Sequence, residues 1–247
     1  MKTLKKINSV TGVVILAAAL MFTSSCQKEQ STLPGNPSDL GNQSLSKLTT
    51  GPVIPPNPHG NYAQMSAKWW KWMLELPLAC HPSLDEECFD VHDGQSGNVW
   101  FLATPVTGAP VERTITIPAG KFLYIGTINV EASNLEPPPF YGATEEERRD
   151  AAAAFADLII NVTFTVDDVT IDNTSDYRIS SPQINFTAPT PWIFGDVGGN
   201  GKSVGDGYFF MLRPMSIGSH TIHYSGAFHF AEGDDLPVDM TYNVTVQ

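Results

Sequence analysis

The chain of 247 residues has little positive charge and only three cysteines. Its 14 lysine and arginine residues stand against 26 aspartate and glutamate residues, which gives a formal net charge of −12. A field of this sign repels phosphate backbones, anionic polysaccharides and anionic lipid headgroups, so the composition argues against a nucleic-acid-binding protein. It favours solubility, a neutral ligand or a cation.

The sequence also lacks clear signatures of common hydrolases. No H-E-x-x-H zinc motif is present. The spacing G-x-S-x-G occurs at residues 201–205 (GKSVG), but the strand-like run YFFMLR follows it instead of the helix that a nucleophile elbow requires. No internal repeat is visible. The apolar run at residues 13–22 is too short for a membrane-spanning helix, which needs about 20 apolar residues. These absences leave a secreted binding protein, an enzyme without a standard motif, or a structural protein.

The N-terminus predicts the compartment. Three lysines precede the apolar run, and small residues follow it directly before Cys26. Residues 1–25 resemble a lipoprotein signal peptide of the Bacteroidetes type, in which the cysteine is lipidated, although Thr23 stands where leucine is usual. The resemblance implies a protein attached to the outer membrane by its lipid. The alternative is ordinary secretion, with Cys26 as an unpaired thiol.

Composition divides the rest of the chain into two parts. Residues 26–58 are rich in Ser, Pro, Asn, Gly and Thr without hydrophobic periodicity, which predicts a flexible tether. From residue 59 the chain becomes apolar and aromatic, and it stays so to residue 247. This length suits one domain, and no second linker interrupts it.

Periodicity predicts a mainly β domain with two added helices. Tyr62, Met65 and Trp69 recur at helical spacing and continue through Trp72 or Met73, with Trp70 off this stripe. A second helix begins at a T-x-x-E capping box. Many short β-branched and aromatic runs with Gly and Pro turns favour an antiparallel β-sandwich or jelly roll.

Several phrases occur together in a characteristic order. They are YAQMSAKWWKWMLELP, HDGQSGNVWFLA, VERTITIPAGKFLYIGTINVEAS and GYFFMLRPMSIGSHTIHYSG. With them the chain resembles an uncharacterised family of exported prokaryotic proteins, which implies a shared β-rich fold and export but no chemistry. Relatives often carry cysteine at the position of Ile115. The resemblance therefore implies that the disulfide of the relatives is replaced here by one between Cys80 and Cys88.

The segment ACHPSLDEECFDVHDGQSG has three possible roles. Cys80 and Cys88 are the cysteines that remain if Cys26 is lipidated, and an oxidising compartment favours a disulfide between them. A zinc site would add His81 and His92, but the spacing does not match familiar zinc sites. A calcium site would instead use nearby carboxylates, here Asp85, Glu86, Glu87, Asp90 and Asp93. We expect the disulfide and no metal or other cofactor.

A His–carboxylate pair is the candidate catalytic site. Period-two alternation along residues 121–133 places Leu123, Ile125, Thr127, Asn129 and Glu131 on one face, which becomes polar at its far end. Burial there would raise the pKa of Glu131, and His92 could act as its partner in a hydrolase or lyase. The alternative is that Asn129 and Glu131 are polar only because the strand emerges from the core at this end, and that they have no catalytic role.

A binding function is the main expectation. Exposed tryptophan rings can stack on sugars, and Trp70, Trp100 and Trp192 are the candidates, although such residues are more often part of a core. With Trp70 we group Asp93, Gln95 and Asn129 as binding residues. The sequence therefore predicts a lipid-anchored protein outside the cytoplasm that binds a small molecule or neutral glycan. A secreted enzyme and a structural envelope protein are the alternatives.

Overall fold

A computed structural model describes residues 51–56, 61–84 and 87–247. The signal peptide and Cys26 lie outside the described residues, as does most of the tether. The helices are α1 (Tyr62–Glu75) and α2 (Glu145–Ala156), and a 3-10 helix spans Thr174–Tyr177. Within the described part of the chain, neither α-helix is long and apolar enough to cross a bilayer.

Eleven strands of the described residues form two sheets. They are β1 (Val53–Ile54), β2 (Val99–Leu102), β3 (Pro110–Ile117), β4 (Phe122–Ser133), β5 (Ile159–Val166), β6 (Val169–Thr170), β7 (Arg178–Ser180), β8 (Ile184–Ala188), β9 (Gly199–Leu212), β10 (Gly218–Phe228) and β11 (Leu236–Val246). The first sheet has the order β1-β9-β4-β2, with β7 and β8 also paired to β9, and the second has the order β3-β11-β10-β5-β6. The predicted mainly β fold with two helices is confirmed.

Both sheets are mixed rather than purely antiparallel. The pairs β2–β4 and β3–β11 are parallel, and the remaining pairs are antiparallel. The sheets pack face to face, as in a β-sandwich: Phe164 of β5 stacks on Phe210 of β9 with ring centroids 4.0 Å apart. One large apolar cluster includes residues of both sheets and of α1. Burial of this surface is the main favourable contribution to folding.

Helix α1 covers the outer face of the first sheet. Its buried residues recur at helical spacing and comprise Tyr62, Met65, Ser66, Trp69, Trp70, Met73 and Leu74. This stripe is wider than the predicted one, because Trp70 is buried and Trp72 lies at its border. Tyr124 of β4 donates a hydrogen bond to the carbonyl oxygen of Tyr62, which ties the first turn of α1 to the sheet.

Two local predictions can be compared with the structure. Helix α2 begins at the expected capping box: Thr144 Oγ1 accepts from the Glu147 amide at 3.2 Å, and Glu147 Oε2 accepts from the Thr144 amide at 3.0 Å. Val53 and Ile54, which the sequence assigns to the tether, pair with Leu212 and Met211 as strand β1. Val53 is buried, so the folded body includes residues before position 59.

A β-bulge in β4 changes which side chains share a face. The pairing with β9 shifts register between Gly126 and Asn129. Because the bulge adds one residue, Asn129 and Glu131 lie on the face of Gly126 and not on that of Leu123 and Ile125. The expected continuous alternation is therefore wrong beyond Gly126, and the polar end of β4 faces α1.

Candidate functional site

The first feature of the predicted site is a covalent loop. Cys80 and Cys88 form a disulfide, as expected, and it closes a loop next to β3. The loop covers the side chain of Arg113, which is buried and donates from Nη1 to the carbonyl oxygen of Pro82 at 2.8 Å. The Arg113 guanidinium also lies 4.2 Å from the ring centroid of Phe89. The loop thus supplies a hydrogen-bond acceptor and an aromatic ring to the buried Arg113 guanidinium at the edge of the core.

The same loop was the candidate metal site. The disulfide takes both thiolates that a zinc site would need. His81 is buried, and its Nε2 lies 2.9 Å from the carbonyl oxygen of Met73. No three His, Cys, Asp or Glu side chains of the described residues converge as metal ligands. Asp85 and Glu86, two of the candidate calcium ligands, lie outside that part of the chain.

His92 lies on the exposed surface of the loop before β2. Its Nδ1 lies 2.7 Å from Asp90 Oδ1, and its ring packs edge-on against Trp100 at 5.2 Å. Hydrogen bonds from the His92 backbone and side chain lower the pKa of the Asp90 carboxyl. The carboxylate that accompanies His92 is therefore Asp90.

Glu131 lies far from His92. Trp100, the neighbour of His92, pairs with Leu123 at the start of β4, and Glu131 lies eight residues further along that strand. At ~3.3 Å per residue this separation is roughly 25 Å. The structure does not bring the two together, and as it stands they cannot act on one substrate atom.

Glu131 instead belongs to a buried carboxyl pair. Glu131 and Glu136 are 3% and 7% exposed, and they accept hydrogen bonds from two serines, Ser203 and Ser133, that are paired directly across β9 and β4. Ser203 donates to Glu131 Oε2, and Ser133 donates to Glu136 Oε2 at 3.0 Å. Burial raises the pKa of Glu131, and burial together with the charge of Glu131 raises the pKa of Glu136 to about 11. With the pair shielded from solvent, this geometry gives no access to a substrate.

Trp70 and Asn129 are placed beside this pair rather than on the surface. Trp70 is 4% exposed, because its indole packs over the bare backbone of Gly205. Its ring is therefore not available to stack on a sugar. Asn129 is half-buried on the α1 face of β4, with its side chain close to Gly126.

An open groove of about 550 Å³ lies between α1 and the loop that precedes β2. Two half-buried aromatic rings line it, Trp72 of α1 and Phe101 of β2, with centroids 5.6 Å apart and planes tilted by 47°. Polar groups from Lys68 and Asn98 surround them. A small number of polar groups around apolar rings is typical of small-molecule sites.

The loop wall of this groove contains two of the predicted binding residues. The carbonyl oxygen of Asp93 accepts a hydrogen bond from Trp72 Nε1 at 3.0 Å. The side-chain amide of Gln95 donates to the carbonyl oxygen of Phe101 at 2.7 Å and accepts from the Phe101 amide at 2.9 Å. Gln95 therefore occupies the free edge of β2 and positions the wall.

Gly94 lets the wall approach the helix closely. Its backbone φ is +67°, which residues other than glycine rarely adopt. A β-carbon at this position would lie 2.7 Å from Trp72 Nε1. The indole is consequently held between the loop and the ring of Trp69. A fixed aromatic ring loses little conformational entropy when a ligand binds.

The charges in the groove are nearly balanced. Lys71 pairs with Glu75, and Lys68 forms no ion pair with the residues that the structure describes. The site therefore carries a small local positive charge on a strongly acidic chain. Such a balance suits a neutral or weakly polar ligand.

The two other candidate tryptophans are buried. Trp100 is 7% exposed, and the ammonium of Lys121 lies 5.7 Å from its ring centroid. Trp192 is 2% exposed and packs against Phe186 at 5.8 Å. Neither ring is positioned to bind a sugar.

Comparisons with known proteins assign no activity. No family model and no curated protein matches the chain. Among solved structures, a cysteine protease inhibitor from Entamoeba histolytica is 12% identical, with a TM-score of 0.22, over 60% of this chain and 96% of its own. Amebosin is also 12% identical, with a TM-score of 0.20, over 62% and 100% of the two chains. Similarities this low support no conclusion about this chain.

Proposed function

We propose that this protein is a lipid-anchored protein outside the cytoplasm that binds a small molecule or neutral glycan in the groove between α1 and β2. The observation that carries the proposal is the pair of half-buried rings, Trp72 and Phe101, set in a groove large enough for a small ligand. An aromatic face contacts the apolar C–H face of a sugar, while polar groups beside it hydrogen-bond to hydroxyls.

The surroundings of the groove support the same ligand class. The formal net charge of −12 repels anionic polymers, so neutral ligands have the advantage. The wall is held by three hydrogen bonds, two through the side chain of Gln95 and one to the carbonyl oxygen of Asp93. Gln95 and Asp93 act on the ligand indirectly in this proposal, and Trp72 replaces Trp70 as the ring that makes contact.

Replacing Trp72 by alanine is expected to weaken binding about tenfold or more, because stacking and the buried ring area are both lost. The measurement is a screen against a panel of neutral mono- and oligosaccharides, followed by calorimetric titration of the best ligand with wild type and Trp72→Ala.

The matched control is Phe194→Ala, since Phe194 is an exposed aromatic residue outside the groove. It should leave affinity unchanged. Equal losses in both variants, or no binding to any sugar or metabolite in the screen, would count against the groove as the binding site.

The anchor is tested separately. Expressed in a bacterial host that exports lipoproteins and fed a clickable palmitate analogue, the wild-type chain should be labelled and should fractionate with membranes. The Cys26→Ser variant should be unlabelled and released, whereas Cys80→Ser should still be labelled. Labelling that persists without Cys26 would contradict the anchor.

A further inference from the structure

The carboxyl pair of Glu131 and Glu136 has a property that the groove does not explain. Two carboxyl groups can hydrogen-bond to each other only if one of them carries a proton. Both side chains are buried, and their serine donors, Ser203 and Ser133, are paired directly across β4 and β9, which places the two carboxyl groups side by side. Two ionised carboxylates in such a site would repel each other without water to screen them.

The charges around the pair balance one negative charge and not two. Arg148 of α2 is the cation that acts on Glu131, and its own hydrogen bonds go to the carbonyl oxygens of Gly142 and Ala143 and to Gln183 Oε1. Strand β9 contributes only the hydroxyl of Ser203, and β4 contributes that of Ser133.

The next acidic residue on β9 does not face the pair. Asp206 follows Gly205, so its side chain points to the opposite face of the sheet, where it pairs with Arg178 at 2.9 Å. Helix α1 presents the uncharged indole of Trp70 to this region. The surroundings therefore comprise one cation, two carboxyl groups and neutral donors.

Trp70 adds an independent observation. Its Nε1 and Glu131 Oε1 are both buried and have no hydrogen-bond partner among the described residues. Glu131 pairs directly with Gly205, and a β-carbon on Gly205 would lie 2.1 Å from Trp70 Nε1. Opposite residues of an antiparallel pair have β-carbons ~5 Å apart on the same face. The indole N–H and the free carboxylate oxygen therefore lie on the same face of the sheet.

We propose that Glu131 and Glu136 form a buried proton-binding site, which holds one proton between the two carboxyl groups in the folded protein at neutral pH. One carboxyl group carries the proton and donates a hydrogen bond to the other, and Glu131 also accepts from Ser203 on the face of the sheet that the indole of Trp70 covers. On unfolding the proton is released to water. The site therefore stabilises the folded protein more strongly in acid.

The direction of the pH dependence follows from the proton count. An unfolded glutamate loses its proton near its ordinary pKa of about 4.3, whereas the folded pair retains one proton far above that pH. The folded state therefore binds more protons, and the free energy of unfolding falls as pH rises above about 4.5. His220, whose pKa is raised by its hydrogen bond to Asp167, contributes with the same sign above its unfolded pKa, so the test must be differential.

Urea unfolding of wild type and Glu136→Gln between pH 5.5 and pH 8 supplies that test. The glutamine is isosteric and can donate to Glu131 without a titrating proton. The ratio of the two unfolding equilibrium constants should change by roughly 10- to 100-fold or more across this range, because one retained proton gives up to tenfold per pH unit. Glu146→Gln, at an exposed position of α2, is the control and should follow wild type.

Infrared spectroscopy of the wild-type protein gives a second readout that needs no variant to fold. At pH 7 to 8 the spectrum should contain the band of a protonated carboxylic acid, and Glu136→Gln should remove it. Parallel pH profiles for wild type and Glu136→Gln, or a wild-type spectrum without that band, would overturn the proposal. Neither measurement requires a ligand in the groove.

Discussion

Removing the disulfide by Cys80→Ser and Cys88→Ser is expected to lower the free energy of unfolding by about 2.5 kcal/mol or more. The chain-entropy model gives about 2.5 kcal/mol for closing a loop of this length. A further cost is expected because the loop holds the carbonyl oxygens of Pro82 and Leu84 against the buried guanidinium of Arg113. A buried cation that loses its acceptors is strongly destabilising.

A double-mutant cycle separates the two contributions. Arg113→Met should be costly in the disulfide-bonded protein, where the two carbonyl groups lose their donor. The same substitution should cost less after Cys80→Ser and Cys88→Ser, since the freed loop can expose those carbonyls to water. Urea unfolding of the four proteins measures the coupling. Additive costs would show that the disulfide and Arg113 act independently. Reduction of the wild-type protein provides a check without substitutions.

Much of the fold could be predicted because its signals are local. The helical spacing of Tyr62, Met65 and Trp69 and the capping box at Thr144 each lie within one element. The two-residue strand β1 was missed because a segment of that length has no period, and its pairing with Leu212 joins distant parts of the chain. The parallel pairs were missed for the same reason, since strand direction depends on the path between strands.

The candidate site was harder to predict because two non-local features decide it. The bulge between Gly126 and Asn129 turns Glu131 toward α1, and alternation alone does not reveal a bulge. Glu136 lies in a Pro-rich turn that offers no periodic signal. Trp70 is buried because Gly205 has no side chain to keep its indole away from the sheet. Trp72 is only half-buried because the loop before β2, which Gln95 holds against Phe101, covers part of its ring. The glycines spaced along β9 were the one sign in the sequence that another element packs closely against the backbone of this strand.

Replacing Gly205 by alanine is the second change with a large expected effect. The new β-carbon would lie 2.1 Å from Nε1 and 2.3 Å from Cδ1 of Trp70, well inside van der Waals contact. The indole has little room to move, because the ring of Trp69 packs against it at 4.9 Å. Overpacking of a core costs typically 1–3 kcal/mol, and this contact places Gly205→Ala at the upper end of that range.

The expected result is a loss of about 3 kcal/mol in the free energy of unfolding, measured by urea denaturation, with a changed near-ultraviolet circular dichroism of the tryptophans. Gly51→Ala is the matched control, since a β-carbon there meets nothing within 4 Å, and it should stay within ~0.5 kcal/mol of wild type. Adding Trp70→Leu to Gly205→Ala should recover part of the loss, because the smaller side chain leaves space for the methyl group. If the losses in unfolding free energy from Gly205→Ala and Trp70→Leu simply add, Gly205 is needed for a reason other than its contact with the indole of Trp70.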